Sequence, residues 1–252
     1  MQGIDFIVQY LIKHAKVSHV FTYAGGTNAW LLEALSKTKG ITFIPARHEQ
    51  NAAFAADGYA RVSGKLGVAV TMSGPGATNL VTGIADAYFD SVPVLFLTGQ
   101  VTTSTYKFNK PVRQLGYQET DIVSIVKPIT KYADICVKES ELPEMLKKII
   151  SVALTERLGP VLFDVPTDIQ RKDVPSEQLS VGPEIESYPQ ASESDIRKIL
   201  ELVEKSTRPV LLVGGGVRSS GTNDLLKKFA EKLNIPVVVS LMGKDSFPND
   251  HR

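Results

Sequence analysis

The sequence predicts an α/β protein with a doubly wound, mainly parallel sheet, followed by part of a second α/β domain. Short apolar runs rich in β-branched residues alternate with helix-length segments along the chain, which favours right-handed strand–helix–strand units. Several runs lack polar alternation, as expected of strands covered on both faces. Glycine-rich loops follow three of the runs, at the sheet edge where open α/β folds tend to bind ligands.

The order of these segments predicts two domains. Residues 1–170 form the first, with strands at 19–24, 41–46, 67–73, 92–99, 132–137 and 160–166 and helices at 4–16, 27–37, 49–62, 77–89, 118–126 and 141–157. Residues 171–190 contain several prolines and polar residues without a period, so they are predicted as a linker. The rhythm restarts over 191–252 with helices at 192–205 and 221–233 and two short strands. Two strands are too few for a complete domain of this type, so we expect the first part of a longer, truncated domain.

Composition excludes several classes of function. Net charge is +1 and the Lys and Arg residues are scattered, so no nucleic-acid partner is expected. No apolar run is long enough to span a bilayer, and the first twenty residues resemble an amphipathic helix more than a signal peptide. The single cysteine, Cys136, fits a reducing compartment and is predicted as a core residue. A soluble, cytoplasmic protein with no membrane partner is therefore expected.

The glycine loops differ in what they can hold. The loop after the third strand has Gly74, Pro75 and Gly76, but it lacks the third glycine of a dinucleotide fingerprint, and proline has no N–H to donate to a phosphate. A tight strand-to-helix turn is the simpler interpretation. The loop at 213–221 fits a structural turn or a dinucleotide contact equally well. The loop at 23–28 has two glycines, with Thr27 as the expected N-cap of the next helix.

Glu49 stands at the head of a helix whose lower face is made of alanines, at positions 52, 53, 56 and 60. Burial at such a site favours the neutral carboxyl, whereas the helix N-terminus favours the carboxylate, so the side chain is suited to exchange a proton with a ligand nitrogen. The alternative is a surface ion pair with Arg47 or Arg61, which the residues alone favour. His48 is expected to cap the helix, and the histidine spacing predicts no metal site.

Six segments together resemble the amino-terminal part of thiamine-diphosphate-dependent enzymes, and most of all the acetolactate synthase (acetohydroxyacid synthase) branch. They are 23-YAGG, 47-RHEQNAAFAADGYAR, 73-SGPGATNLVTGIADAYFDSVPVLFLTGQV, 117-YQETDIV, 127-KPITK and 159-GPVLFDVPTDIQ. The resemblance implies that residues 1–170 are a pyrimidine-binding domain and that 191–252 begin the middle domain. It places the diphosphate-binding domain, with its Mg²⁺ ligands, outside this chain, so the 252 residues alone are expected to be inactive.

The resemblance also assigns roles to residues. It implies that Glu49 hydrogen-bonds N1′ of the aminopyrimidine ring of thiamine diphosphate and so promotes loss of the C2 proton of the thiazolium. Gln118 would face the reacting carbon of a 2-oxo acid such as pyruvate. The residues that would border the pyrimidine are Tyr23, Ala24, Gly25, Pro75 and Asn79, and those that match FAD-binding positions of the branch are Gly214, Gly215, Gly216, Leu241 and Met242. A homodimer or homotetramer is implied, because the cofactor lies between domains of two subunits.

Three departures from the family pattern leave the substrate open. Ala24 replaces a proline, Thr167 replaces a lysine near the substrate channel, and the loop 103–119 carries added cations at Lys107, Lys110 and Arg113. These cations suit a different anionic substrate. A decarboxylase or lyase of another 2-oxo acid, and a non-catalytic module that retains the fold, therefore remain alternatives to pyruvate decarboxylation and carboligation.

Overall fold

Six strands form one parallel sheet in the first of two compact units, Met1–Ser187 and Tyr188–Arg252. The computed structural model describes residues 1–186 and 190–251. The strands are β1 His19–Thr22, β2 Thr42–Pro45, β3 Gly67–Thr71, β4 Val94–Gln100, β5 Tyr132–Ile135 and β6 Val161–Pro166. Their order is β2-β1-β3-β4-β6-β5, and each neighbouring pair is parallel, so the predicted parallel sheet is confirmed.

The central strands are buried on both faces, which is why their sequences lack polar alternation. β3, β4 and β6 are buried along their whole length. Successive side chains enter two separate cores: Leu95 and Leu97 of β4 join one, and Phe96 joins the other. The edge strand β2 is largely exposed. Because both faces are apolar, helices must cover both of them.

Helices of the first unit lie on both faces, as a doubly wound fold requires. They are α1 Gly3–Ala15, α2 Ala29–Lys37, α3 Glu49–Ser63, α4 Pro75–Thr78, α5 Val81–Asp90, α6 Ile122–Val126, α7 Leu142–Leu154 and α8 Thr167–Arg171. Buried residues of α1, α2, α7 and α8 share one core, and those of α3, α5 and α6 share the other. The predicted doubly wound architecture is confirmed.

The direction of the winding changes between β1 and β3. The chain leaves β1 through α2, reaches the outer neighbour β2, and returns through α3 to β3 on the other side of β1. The helices that follow β1 and β3, α2 and α5, lie on opposite faces, so the loops after these two strands diverge at the carboxyl edge of the sheet. Such a switch point is where open α/β sheets bind ligands.

Small residues let α3 approach its neighbours closely. A Cβ added to Gly67 at the start of β3 would overlap the carbonyl group of Ala56 in α3, and one added to Gly83 of α5 would stand 2.5 Å from the Cβ of Ala53. The alanine face of α3 is buried against these elements, as its sequence predicts. Close packing on two sides therefore fixes the position of α3 and of Glu49 at its head.

Some boundaries differ from prediction for local reasons. The helix predicted at 77–89 is divided into α4 and α5. The helix predicted at 118–126 begins only at Ile122, because Gln118 has a left-handed backbone (φ 58°) and Asp121 caps the helix by accepting a hydrogen bond from the backbone N–H of Ser124. Thr27 is not the N-cap of α2, since its hydroxyl bonds to other loops and Asn28 occupies that position.

The segment 171–190, predicted as a linker, begins with residues that pack on α1. The backbone N–H of Val174 donates to the carbonyl of Met1, and Leu179 contacts the core formed around α1. The carbonyl of Leu179 also lies 2.8 Å from the Nε2 atom of His14. Residues 187–189 of this segment, and Arg252 at the end of the predicted second domain, lie outside the described residues.

The second unit contains a parallel pair of strands, β7 Leu211–Val213 and β8 Val237–Val239. Its helices are α9 Glu193–Lys205, α10 Gly216–Ser219 and α11 Asn223–Leu233. The helix predicted from 221 starts two residues later, because Gly221 has a positive φ of 68°. The α/β alternation predicted for this part of the chain is confirmed.

The close packing of β3 on α3 gives a stability prediction with a matched control. Gly67→Ala forces a side chain into the backbone of Ala56 and should cost about 1–3 kcal/mol or more. Gly58→Ala, on α3, meets nothing within 4 Å and should instead stabilise the helix by about 0.5–1 kcal/mol. Urea unfolding followed by circular dichroism measures both. Equal effects of the two substitutions would contradict the packing argument.

Candidate active site

Glu49 is a buried carboxylate at the switch point. It is the first residue of α3, only 5% of it is exposed, and His48 caps the helix by accepting a hydrogen bond from the backbone N–H of Gln50. The Oε2 atom accepts a hydrogen bond of 3.0 Å from the side-chain amide of Asn79. Within the described residues, Oε1 has no hydrogen-bond donor. One oxygen is therefore held in place, and the other has no partner among the described residues.

The surface ion pair considered for Glu49 is not formed. Arg61 pairs instead with three aspartates on α3 and α5, Asp57, Asp86 and Asp90. No salt bridge joins Glu49 to Arg47 in the part of the chain that the structure describes. Among the described residues, Glu49 is thus a buried carboxylate with no cationic side chain paired to it. Burying such a group destabilises the fold unless its remaining oxygen finds a hydrogen-bond donor.

Met72 brings two of the glycine loops together beside Glu49. A Cβ on Gly25 would overlap the side chain of Met72, and a Cβ on Gly76 would lie 2.6 Å from its Cγ and 3.3 Å from Oε1 of Glu49. Both glycines are therefore required by close packing around this methionine. Sequence reasoning missed Met72, because an apolar residue at the end of a strand looks like ordinary core.

Gln118 lies against the same loop from another direction. Gly74 has a positive φ of 64°, and a Cβ there would stand 2.7 Å from both the Cβ and the carbonyl oxygen of Gln118. The structure therefore brings Gly25, Glu49, the loop 74–79 and Gln118 into one contiguous region. Of the other residues predicted for the pyrimidine site, Tyr23 is half-buried, and Ala24 and Pro75 are exposed on the flanking loops.

Side-chain hydrogen bonds hold the loop after β1 in place. The Oδ1 atom of Asn28 accepts from the backbone N–H of Gly25 (2.8 Å), and its amide donates to the carbonyl of Tyr23 (2.9 Å). Thr27 accepts from the backbone N–H of Ser73 (2.9 Å) and donates to the carbonyl of Gly99 (3.1 Å). The loop is thus fixed to the ends of β3 and β4, which predefines the site before any ligand binds.

A second buried carboxyl group lies between β4 and β6. Asp164 is fully buried and accepts hydrogen bonds from the Thr98 hydroxyl (2.7 Å) and the Gln100 amide (2.8 Å). Burial raises the pKa of Asp164 from 3.8 to about 7, because these two neutral donors only partly replace water. The signal for it was present in the sequence, as the only charged residue in the apolar run 160-PVLFDVP.

Two loops of the second unit meet at the carboxyl ends of β7 and β8. A Cβ on Gly215 would lie 3.0 Å from the carbonyl oxygen of Met242, and one on Gly243 would overlap the carbonyl of Val213. Gly214–Gly216 and the turn Leu241–Gly243 therefore adjoin, as the prediction of a shared site requires. Leu241 is 88% exposed.

Three further features were considered from the sequence: the reactivity of Cys136, a metal site and a membrane span. Cys136 is fully buried in the core, and burial raises the pKa of its thiol to about 12, so it stays protonated near neutral pH. Among the described residues, no three His, Cys, Asp or Glu side chains are grouped to hold a metal ion. No helix in that part of the chain is long and apolar enough to cross a bilayer.

Comparison with known families identifies this arrangement. The model of the thiamine pyrophosphate enzyme N-terminal TPP binding domain matches residues 1–125, and the model of the central domain of the same enzymes matches residues 196–252. Together they cover more than half of the chain. The chain belongs to the thiamine pyrophosphate enzyme family. Residues 1–125, which include Glu49, match its N-terminal TPP binding domain, which confirms the predicted superfamily and, of the predicted cofactors, supports thiamine diphosphate.

Individual relatives identify the branch. The chain is 40% identical to the acetolactate synthase large subunit of Buchnera aphidicola (from Acyrthosiphon pisum) and 39% identical to the isozyme 3 large subunit of Escherichia coli K12, with 100% of the chain aligned in each case. It is 41% identical to the probable acetolactate synthase large subunit of Methanocaldococcus jannaschii, again over 100% of the chain. The chain spans 43%, 43% and 42% of these relatives' lengths, respectively. It thus matches the amino-terminal part of acetolactate synthase large subunits.

The residues present fit thiamine diphosphate. A ring nitrogen that carries a proton needs a buried acceptor, and Oε1 of Glu49 is such an acceptor, with its partner oxygen fixed by Asn79. Gly76 brings backbone close to this oxygen, and Gly25 packs against the same methionine, Met72. Glu49, Asn79 and the loop 23–25 would hold the pyrimidine side of the cofactor.

The buried position of Asp164 predicts a pH dependence of stability. Its pKa is higher in the folded protein than in the unfolded chain, so its protonation stabilises the fold at low pH, and this contribution is lost as the pH rises from 3.8 towards about 7. Asp164→Asn cannot ionise and should gain stability relative to the wild type between about pH 4 and about pH 8. Thermal unfolding of both proteins across this range measures the difference.

The control is Glu186→Gln, which removes an exposed carboxylate from the same unit. Its stability relative to the wild type should not change with pH over this range. If the Asp164→Asn difference is equally flat, then Asp164 is ionised in the folded protein and the argument from burial is wrong.

Proposed function

We propose that the protein carrying this chain is an acetolactate-synthase-like enzyme that decarboxylates pyruvate and transfers the two-carbon unit to a 2-oxo acid acceptor. The observation that carries the proposal is the buried carboxylate of Glu49, with one oxygen fixed by Asn79 and the other without a donor among the described residues. Similarity to acetolactate synthase large subunits over the whole chain supports the choice of reaction.

The chain's own residues have distinct parts in this proposal. Bound thiamine diphosphate supplies the electron sink that a 2-oxo acid needs in order to lose carbon dioxide. Oε1 of Glu49 holds the proton on N1′ of the pyrimidine ring, while Asn79 keeps the carboxylate oriented. Tyr23, Ala24, Gly25 and Pro75 border the ring. Gln118, next to Gly74, faces the substrate.

The alternatives account less well for Glu49. A non-catalytic module has no use for a carboxylate that is buried beside close-packed glycines and that has no cation partner in the described part of the chain, since burial of such a group is costly. A decarboxylase or lyase of a different 2-oxo acid keeps all the roles given above. Only the identity of the substrate separates it from the leading proposal, and the cations of loop 103–119 are the feature that favours it.

We further infer an assembly in which this domain supplies only one side of the active site. The site is completed by the diphosphate-binding domain of a second subunit, with Mg²⁺ held outside residues 1–252, in a cytoplasmic homodimer or homotetramer. The 252 residues alone are then inactive. Support comes from the exposure of Ala24 and Pro75 at the rim of the site, where a second protein surface is needed to exclude water.

Glu49→Gln in the full-length protein tests the proposed role. Gln keeps the shape and the bond from Asn79 but removes the negative charge that holds the ring proton, so kcat for pyruvate should fall by about 100-fold or more. The thermal midpoint without cofactor should not fall, because the neutral amide removes a buried charge. Pyruvate consumption with added thiamine diphosphate and Mg²⁺ measures the effect.

The matched control is Glu33→Gln, which removes an exposed carboxylate from α2 that, among the described residues, pairs only with Lys37. Its kcat should equal that of the wild type. Unchanged turnover in Glu49→Gln would exclude the assigned role. A wild type that turns over another 2-oxo acid but not pyruvate would favour the second candidate.

FAD is proposed as a second ligand, bound where Gly214–Gly216 adjoin Leu241 and Met242. A Cβ on Gly216 meets nothing within 4 Å, so Gly216→Val should fold normally and extend into the ligand's space. The flavin content of the purified protein, measured by absorbance after denaturation, should drop sharply in this variant. It should stay unchanged in Ser219→Val, an exposed position on the same helix. Equal flavin content in both variants would contradict this site.

A further inference from the structure

The loop that carries Gln118 is long and has little regular structure. It connects β4 to α6 over residues 101–121 and contains only a 3-10 turn at Thr103–Thr105. Gln118 itself has a positive φ of 58°, which an L-residue adopts only when its surroundings require it. Something in the loop must therefore offset the cost of this conformation.

Glu119, the next residue, supplies the largest set of contacts. It is 8% exposed, and its Oε1 atom accepts from the backbone N–H of Lys107 (2.9 Å). Its Oε2 atom accepts from the backbone N–H groups of Leu115 (2.7 Å) and Gly116 (3.2 Å). The carboxylate thus joins the two ends of the segment 107–116.

The hydrogen-bond donors to the Glu119 carboxylate in the described residues are backbone N–H groups. No salt bridge to Glu119 is formed in the described ranges, although the loop itself carries Lys107, Lys110 and Arg113. Hydrogen bonds to a charged acceptor are stronger than neutral ones, and a buried carboxylate that accepts three of them is fixed in position. A neutral amide at this position cannot accept all three.

A second anchor lies two residues after Gln118, at Thr120. The amide of Gln100 donates to the carbonyl of Thr120 (2.9 Å) and to Asp164 (2.8 Å), and its oxygen accepts from the backbone N–H of Val101 (3.0 Å). Thr120 is therefore tied to the sheet core. Gln118 contacts Gly74 and is followed directly in sequence by these two anchored residues, so its position is coupled to that of Glu119.

We propose that Glu119 is a positioning residue that holds the loop 107–116 closed and thereby places the side chain of Gln118 against the 2-oxo acid. Glu119 acts through Gln118 and touches neither cofactor nor substrate. The inference rests on the proposed function for its effect on turnover, whereas the closure of the loop is independent of it.

Limited trypsin digestion of the 252-residue chain tests the closure. The peptide bonds in the loop that trypsin can recognise follow Lys107 and Arg113, since Lys110 precedes a proline. Glu119→Gln should speed cleavage at these two bonds by about tenfold or more, because losing a charged hydrogen bond raises the open population by that factor. Cleavage after Lys205, in the second unit, serves as the internal reference.

Asp121→Asn is the matched control, because it removes a carboxylate that caps α6 and does not contact the segment 107–116. It should leave the two loop bonds protected. Equal acceleration in the two variants, or no acceleration in Glu119→Gln, would overturn the proposal.

A double-mutant cycle in the full-length protein tests the coupling to Gln118. Glu119→Gln alone should lower kcat/KM for pyruvate by about 100-fold, the effect of misplacing an active-site group by about 1 Å. In the Gln118→Ala background it should have little further effect, since both changes remove the same interaction. Half-saturation by thiamine diphosphate should not change, because Glu49 and the loop 23–25 are untouched.

The digestion and the double-mutant cycle distinguish failure of this proposal from failure of the proposed function. Additive effects in the cycle would show that Glu119 does not act through Gln118. If the wild type shows no thiamine-dependent turnover of any 2-oxo acid, the proposed function fails, and the digestion alone decides whether Glu119 closes the loop.

Discussion

The hydrogen bond between Asn79 and Glu49 is the interaction on which the site depends. A carboxylate that is 5% exposed must be satisfied, and the single bond of 3.0 Å to Asn79 satisfies one oxygen. Because Glu49 heads α3 and Asn79 ends the loop after β3, this bond joins the two chain segments that cross the switch point. The rest of the fold can be understood as holding these two segments at that distance.

Close backbone packing provides the required rigidity. The alanine face of α3 permits contact with Gly67 of β3 and Gly83 of α5, so α3 cannot shift without overlap. Met72 fills the space beside Gly25 and Gly76 and so couples the loop after β1 to the segment after β3. Rigidity matters here because a proton acceptor that moves by a fraction of an ångström loses its hydrogen-bond geometry.

Sequence patterns predicted the fold well and the site only in part. Uninterrupted apolar strands and their alternation with helices were sufficient to predict the doubly wound sheet, because strands buried on both faces are apolar at nearly every position. Glu49 was ambiguous, since an acidic residue at a helix start near two arginines also fits a surface pair. Only the resemblance favoured a cofactor contact over a surface pair, and the structure then placed Arg61 among three aspartates.

The loop after β4 shows why the rest of the site could not be predicted from the sequence. Its conformation depends on which backbone N–H groups reach Glu119, and such contacts span up to 12 residues without any repeat. The left-handed Gln118 shortened a predicted helix for the same reason. Asp164 was visible as a charge within an apolar strand, but its partners Thr98 and Gln100 lie more than 60 residues away in the sequence.

Asp164, Glu119 and Glu49 are three buried carboxyl groups of the first unit, and their hydrogen-bond partners explain why they differ. Asp164 meets two neutral side-chain donors, so burial prevails and its pKa rises to about 7. Glu119 meets three backbone N–H groups, which commit both of its oxygens to holding the loop. Glu49 has a donor on one oxygen only among the described residues. Of the three, Glu49 alone combines a fixed orientation with an oxygen open to a ligand, which is what proton exchange with a bound ring requires.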